Sequence, residues 1–340
     1  MKNHCNIPFF IPHSGCNNNC VFCSQVKITG KNHLEPNLDQ ETQSLIQTIE
    51  NSLSTLSEET ETQLAFFGGS FTGIERNRMI SLLETGYDYV KKGKIKGIRI
   101  STRPDYINQE ILDILKTYGV TDIELGIQSM NDRVLKECAR GHISAISYKS
   151  SELIIKNGFN FVGQMMIGLP LSTIVDELET ADAIIKMGAT AARIYPTVVF
   201  SDTVLYNMTK DGLYKPLTND QAIERCALCC DRFIKAGIKV LKIGLHSSES
   251  LTEAEFGANH PALGELVKSK IYFHRISEEL DKLDCVGKTV QIFVKSGEQS
   301  KLTGHGGKIL NELKEKYNLL KIETGITDTE ENQPIIKIKE

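Results

Sequence analysis

The sequence predicts an α/β protein built as a βα barrel or an open partial barrel, and three observations carry that expectation. Strand-like segments alternate with amphipathic helical ones in units of roughly 30–40 residues, the length of a strand with its crossover helix. The strand segments are near-continuous apolar runs, as expected when both faces of a parallel sheet are covered. Polar residues and glycines fall just after the strands, at Gly68-Gly69-Ser70, Ser101-Thr102-Arg103, Gln128-Ser129, Gly168 and Tyr195-Pro196. In such folds the carboxyl ends of the strands form the rim of the active site. A doubly wound sheet also alternates strands and helices, but no glycine-rich dinucleotide fingerprint opens the first unit.

In chain order, residues 7–12 (IPFFIP) read as a short strand delivering a cysteine-rich loop, and 25–36 as loop. A helix follows at 37–53, with Asp39 as its cap. The next strand, 62–74, ends in Gly68-Gly69, and 77–93 is a helix with Gly86 inside it. Strand then loop at 96–106, helix at 109–119, strand at 121–130 and helix at 131–141 continue the alternation. Helices at 146–158, 173–188 and 219–237 precede strands at 159–170, 189–199 and 238–245. After about residue 246 the pattern changes to loop, helix, then strand (289–297), glycine-started helix (302–318) and strand (319–325). The expected organisation is a barrel over 1–246 with its cysteine loop, and a small α+β extension over 247–340 packed on it.

Composition narrows the function classes. Hydrophobic residues at 40% and charged residues at 24% are ordinary for a globular protein. A net charge of −4 argues against a strongly basic nucleic-acid surface. No run approaches the ~20 apolar residues of a membrane span. The start, MKNHCNIPFFIPHSG, has too short an apolar run for a signal peptide. Nine cysteines in 340 residues are not a disulfide scaffold and fit a reducing, cytoplasmic setting. Cys226, Cys229 and Cys230 share adjoining parts of one helix face and are expected to be core packing rather than a second metal site.

The chemistry centres on HSGCNNNCVFCSQ, where Cys16, Cys20 and Cys23 stand at C-x-x-x-C-x-x-C. Thiolates at this density suit zinc or an iron–sulfur cluster. Structural zinc takes four ligands, usually in two short pairs, and no second pair follows at finger spacing. A 4Fe-4S cluster held by three cysteines keeps one iron open to a substrate or cofactor. Gly15 and Asn17, Asn18 and Asn19 suit a tight loop, because both residue types tolerate left-handed backbone.

This stretch resembles the signature of the radical S-adenosylmethionine (radical SAM) superfamily. The resemblance implies a (β/α)6-type partial barrel and S-adenosylmethionine chelating the open iron through its amino and carboxylate groups. It also implies reductive cleavage to a 5′-deoxyadenosyl radical, with electrons from an external donor of the flavodoxin or ferredoxin type. STRPDY at 101–106, IELGIQS at 123–129, RGH at 140–142, QMMIGLP at 164–170, RIYPTVV at 193–199 and DTVLYNMTKDGLY at 202–214 sharpen it. Over about residues 7–275 these motifs look like the radical SAM half of the Elongator catalytic subunit, described as a tRNA wobble-uridine acetyltransferase. The first two cysteines are closer together than in that subunit, and the tail lacks an obvious pyrophosphate loop. The expectation is therefore that half without its acetyltransferase domain, an unidentified substrate, and tRNA as the alternative.

The resemblance also assigns residues. Gly68, Gly69 and Ser70 match the strand-end motif whose backbone accepts the cofactor's amino group, and glycines permit that approach. Phe22, beside the third cysteine, Arg103, Arg140 and Gln164 join them as cofactor-binding residues, the arginines suited to a carboxylate. Glu124 and Gln128 share one strand face, where polar groups need a ligand or partner, and Tyr195 is the aromatic candidate beside the radical; these three are the catalytic candidates. His142 and His246 are either acid–base groups or merely hydrogen-bonded. The competing classes are a cluster-binding protein without turnover and a plain zinc protein.

Overall fold

A computed structural model of the chain describes residues 4–11, 16, 20–24, 37–57, 59–245 and 253–339. The expected loop at 25–36, Gly15, the three asparagines at 17–19 and His246 lie outside the described residues.

The main sheet contains β1 (His4–Ile11), β2 (Glu61–Gly68), β3 (Gly97–Thr102), β4 (Val120–Gln128), β5 (Asn160–Ile167) and β6 (Ala191–Pro196). Past the two-residue β7 (Val198–Val199) it is completed by β8 (Lys239–Ile243). The order is β1-β2-β3-β4-β5-β6-β8, with every neighbouring pair parallel. The sheet curls into a half-barrel. The Arg193 guanidinium on β6 lies 5.0 Å from the centre of the Phe67 ring on β2. Four strand steps in a flat sheet would separate their backbones by roughly 19 Å, so the contact needs strong curvature.

The helices are α1 (Leu38–Thr55), α2 (Arg76–Lys91), α3 (Gln109–Thr117), α4 (Asp132–Glu137), α5 (Ser144–Lys156), α6 (Ile174–Lys186), α7 (Val204–Lys210) and α8 (Asn219–Lys235). The short α4 and α7 pack around Val21 of the cysteine loop, and the others cover the convex face. Their starts follow side-chain capping: Thr173 with Asp176 and Thr218 with Gln221 form capping boxes. The cap of α1 is Asn37, whose side chain accepts from the N–H groups of Asp39 and Gln40, so Asp39 sits inside the helix instead. Gly86 lets α2 lie on the sheet, since a Cβ there would come within 2.6 Å of Leu64. The 62–74 strand ends at Gly68 and gives way to a 3-10 turn at Phe71–Gly73.

The strands are not apolar on both faces. Leu64, Phe66, Ile98, Ile100, Ile123, Leu125, Phe161 and Ile194 point to the helices and form the core. Their alternate neighbours on the concave face include Gln63, Arg99, Asp122, Glu124, Gln164 and Arg193. Single charged residues inside apolar segments hide this period-two alternation.

Beyond the barrel, β9 (Phe256–Gly257) pairs antiparallel with β7, and α9 (Leu263–Leu280) follows. Leu263, Val267 and Ile271 of α9 join the barrel core, whereas Tyr272, Ile276 and Leu280 join a second, smaller one. That second core lies against a three-stranded sheet ordered β11-β10-β12, from β10 (Thr289–Val294), β11 (Lys321–Ile326) and β12 (Ile335–Lys339). Helices α10 (Gln299–Thr303) and α11 (Lys308–Lys316) make the crossover between the parallel β10 and β11. The antiparallel β12, with polar residues alternating among isoleucines, is an element the sequence reading did not separate from the tail.

Cys226, Cys229 and Cys230 are buried in the barrel core on α8. Burial pushes all three thiols up, Cys230 to about 12, so they pack as neutral small hydrophobes. Replacing all three by Ala is expected to leave iron stoichiometry unchanged and to lower the urea midpoint. A fall from about eight to about four irons per chain would instead reveal a second cluster.

Candidate active site

The concave face carries its polar groups in layers. Glu124 on β4 and Arg193 on β6 form an ion pair across the intervening β5, with Oε2 and Nε 2.8 Å apart. Arg193 also donates to the Tyr195 hydroxyl at 3.1 Å. Burial drives the Glu124 carboxyl pKa upward, against the pull of Arg193 and Arg99. Burial is the largest influence on Arg193 and opposes its charge, but Glu124 and the Tyr195 hydroxyl together prevail and its pKa rises. The Tyr195 hydroxyl is pushed up by burial and by Glu124. Nearer the amino ends of the strands, Arg99 pairs with Asp122 at 2.9 Å, and the Gln63 amide donates to Asp122 at 2.7 Å.

Toward the carboxyl ends, the Gln164 amide donates to the Gln128 side-chain oxygen at 3.2 Å. Gln128 has φ of 68°, at a register shift that ends β4. Arg140, just beyond α4, spans this layer and the cysteine loop. Its Nη2 donates to the Gly126 carbonyl at 2.5 Å, and its Nη1 lies 3.4 Å from Cys20 Sγ. A Cβ at Gly126 would come within 2.9 Å of Arg140 and 2.8 Å of Gln128, so the glycine makes room for both. Arg103 forks onto Asp105 with two bonds of 2.9 Å and donates to the Arg140 carbonyl at 2.6 Å. Burial opposes the Arg103 charge, but Asp105 and the Cys20 and Cys16 thiols prevail and raise its pKa.

The cysteine loop leaves β1 directly beside the β2 exit. Gly69 donates its N–H to the Ile11 carbonyl at 3.2 Å. Gly68 has φ of 112°, and a Cβ there would sit 2.4 Å from that same oxygen, so only glycine fits. Ser70 Oγ is 3.3 Å from Cys16 Sγ. Cys23 donates its N–H to the Cys20 carbonyl at 3.0 Å, closing a turn that carries Phe22. Among the described residues, no three Cys, His, Asp or Glu side chains are gathered closely enough to hold a metal ion.

Gly68, Ser70, Arg103, Arg140, Cys16 and Cys20 thus meet at one end of the sheet, while Glu124 lies deeper on the concave face and is linked through Arg193 to Tyr195, near the carboxyl end of β6. Glu124 is not a free acid–base group, because Arg193 holds it. His142 is buried, and burial and Arg140 push its pKa down to about 4, so it is neutral near pH 7. Sequence reading singled out neither Arg193, Arg99 nor Asp122. The signal available was a charged residue at even spacing from Tyr195, Ser101 and Glu124 within an apolar run.

This donor set fits a cluster and a zwitterionic cofactor. Three thiols at C-x-x-x-C-x-x-C sequence spacing supply ligands of the right softness, although they are not gathered around one point here. The Arg140 guanidinium against Cys20 offsets the negative charge that thiolates bring together. Among the described residues, Arg140 Nε and Arg103 Nη1 are buried without a hydrogen-bond partner, cationic donors suited to a carboxylate.

The radical SAM superfamily model matches residues 10–184, and the model of the radical SAM C-terminal domain matches 189–272. A tRNA uridine(34) acetyltransferase of Methanocaldococcus infernus is 32% identical over 136 residues, 39% of this chain and 26% of that protein. Elongator complex protein 3 of Homo sapiens is 34% identical over 137 residues, 39% of this chain and 25% of that protein. The chain thus spans about a quarter of the length of these two relatives. An uncharacterised Methanocaldococcus jannaschii protein is 31% identical over 170 residues, 49% of this chain and 51% of its own length. Among solved structures, archaeal Methanocaldococcus infernus Elp3 with an N-terminal deletion superposes with a TM-score of 0.64 at 21% identity. It covers 82% of this chain and 64% of that one, which speaks for the fold. The motif resemblance to the radical SAM half of the Elongator catalytic subunit is therefore borne out by sequence relatives and by fold. With more than half of its residues matched by the superfamily model, and Ser70 of the β2 exit against Cys16, the chain belongs to the radical SAM superfamily and is a radical SAM enzyme.

Proposed function

We propose that the chain binds a 4Fe-4S cluster through Cys16, Cys20 and Cys23 and reductively cleaves S-adenosylmethionine, acting on a substrate held against the concave face. The observation that carries this reading is the meeting of Arg140 with Cys20 and of Ser70 with Cys16. It joins the cysteine loop to the carboxyl ends of the strands. When bound, cluster and cofactor supply a 5′-deoxyadenosyl radical. Arg140 and Arg103 would hold the carboxylate, and the Gly68–Ser70 backbone, with Phe22 nearby, the rest of the methionine moiety. Gln128 and Gln164 would lie between cofactor and substrate, with Glu124 and Tyr195 orienting the substrate through their network with Arg193. An external flavodoxin- or ferredoxin-type donor would supply the electron. In this reading the barrel over 1–246 carries the chemistry, and the extension over 247–340 supports it through α9.

Anaerobic reconstitution tests the proposal. The expected result is about four irons per chain and 5′-deoxyadenosine on adding dithionite and S-adenosylmethionine. Four irons without 5′-deoxyadenosine would point to a cluster protein without turnover, and zinc in place of iron would overturn the reading.

The names of the relatives support a second reading, in which the substrate is the wobble uridine of tRNA. The basic stretches offer this chain little phosphate grip. Lys91 pairs with Asp88, and Lys94 with Glu50, at the amino end of β3, away from the strand-end site. Arg275 pairs with Asp231, and Lys270 with Glu224. The chain alone is expected to bind tRNA at roughly 10⁻⁴ to 10⁻⁶ M at physiological salt, the non-specific range. Titration of labelled tRNA at two salt concentrations checks this, and submicromolar affinity would make tRNA the leading substrate.

A further inference from the structure

The turn that carries the second and third cysteines is tied down from outside the barrel. Val21 donates its N–H to the Cys138 carbonyl at 3.2 Å, and its carbonyl accepts from the Leu205 N–H at 2.8 Å. Its side chain seats among Val134, Leu169, Val199, Leu205 and Tyr214, a small apolar cluster distinct from the barrel core. Ser24, directly after Cys23, is 3% exposed and donates its hydroxyl to Asp202 Oδ2 at 2.6 Å. That is the length of a charge-assisted bond.

Asp202 is well placed to hold something still. The Thr203 hydroxyl and N–H both donate to the Phe200 carbonyl, at 2.7 and 3.1 Å, and the hydroxyl accepts from the Tyr206 N–H at 3.2 Å. Phe200 is buried, and the adjacent β7 is paired to β9. The carboxylate therefore projects from a turn whose backbone is held by its own hydrogen bonds and by the β7–β9 pairing, in addition to the Leu205 bond to Val21.

We propose that Asp202 is a positioning residue: by holding Ser24 it fixes the Cys20–Cys23 turn, so that both thiols are preset before iron arrives. This rests on reading the cysteine trio as cluster ligands. A preset turn raises ligand affinity by removing the ordering entropy that binding would otherwise cost. A bond of purely structural value would change unfolding while leaving the two thiols as they were.

The test compares wild type, Asp202→Ala, Asp202→Asn and Ser24→Ala, first as iron-free protein. Alkylation of Cys20 by iodoacetamide, followed by peptide mass mapping, reads the freedom of the turn directly. Cys20 is 7% exposed, so its reaction needs the turn to open. Asp202→Ala is expected to speed that reaction on the order of tenfold, the factor a hydrogen bond to a charged group is worth. Ser24→Ala should match it, and the double variant should add nothing further, since both changes break one bond. Asp202→Asn, which keeps an acceptor oxygen, should recover most of the protection. After reconstitution, chelator removal of iron should follow the same rank order. Equal alkylation rates in all the proteins would overturn the proposal. Failure of wild type to take up iron would instead overturn the ligand assignment, while the alkylation comparison would still decide the role of Asp202.

Discussion

Cys23→Ala is expected to abolish cluster loading and 5′-deoxyadenosine formation together, by more than about a hundredfold, beyond what outer partners of a metal ligand are worth. With three thiolates one iron stays open; with two, a second iron loses its anchor and the cluster loses a side of its cage. The backbone gives little reason for a folding defect, because the bond closing the Cys20–Cys23 turn runs from the residue 23 N–H to the Cys20 carbonyl and survives in alanine. Cys138→Ala is the informative contrast. Cys138 is buried beside the loop, and burial, with the Cys20 thiol, pushes it up to about 12, so it stays a neutral thiol. It should cost some stability and no iron. Iron and sulfide assays with product chromatography decide the matter, and four irons retained in Cys23→Ala would show that the ligand set is wrong.

Much of this was legible in the chain itself, and the reasons are local. Strands and helices announced themselves because the apolar residues of the convex face recur at regular spacing and glycines mark the exits. The Cys16, Cys20 and Cys23 spacing is a short-range pattern, and so are Gly68-Gly69-Ser70. Pairing was not legible. Glu124 meets Arg193 across a strand, Arg193 lies over Phe67 across the curl, and Ser24 meets Asp202 from the far end of the barrel sequence. Such contacts depend on curvature, which no window of sequence contains. The polar concave face escaped for a related reason: Arg99, Asp122 and Arg193 stand alone in apolar runs and look like noise until the sheet aligns them. The helix at 302–318 divided into α10 and α11 because Gly304, Gly306 and Gly307 all take positive φ, which breaks the helical path.

The largest stability effect is expected at the Glu124–Arg193 pair, and the two halves should differ. Both side chains are more than nine-tenths buried, so removing one partner strands the other in a low-dielectric interior. Breaking such a pair typically costs ~3–5 kcal/mol. A carboxylate can escape by taking a proton, whereas a guanidinium remains charged throughout the accessible pH range. Arg193→Met therefore leaves a Glu124 whose pKa, already raised by burial, rises further once its chief opposing cation is gone. Glu124→Met leaves a buried cation with no such exit, so it should be the more damaging change, near the upper end of that range. The pH dependence separates them as well. In Arg193→Met the folded state binds a proton that the unfolded chain releases at the ordinary carboxylate pKa, so stability should fall as pH rises from that value through the raised one. Glu124→Met should lack this dependence. Replacing both by apolar residues of similar volume should recover most of the loss, because desolvation then disappears along with the pairing. Urea unfolding of the three variants at mildly acidic and neutral pH measures all of this. Equal losses for the two single variants would mean that water reaches the pair, and that the concave face is wetter than its burial implies.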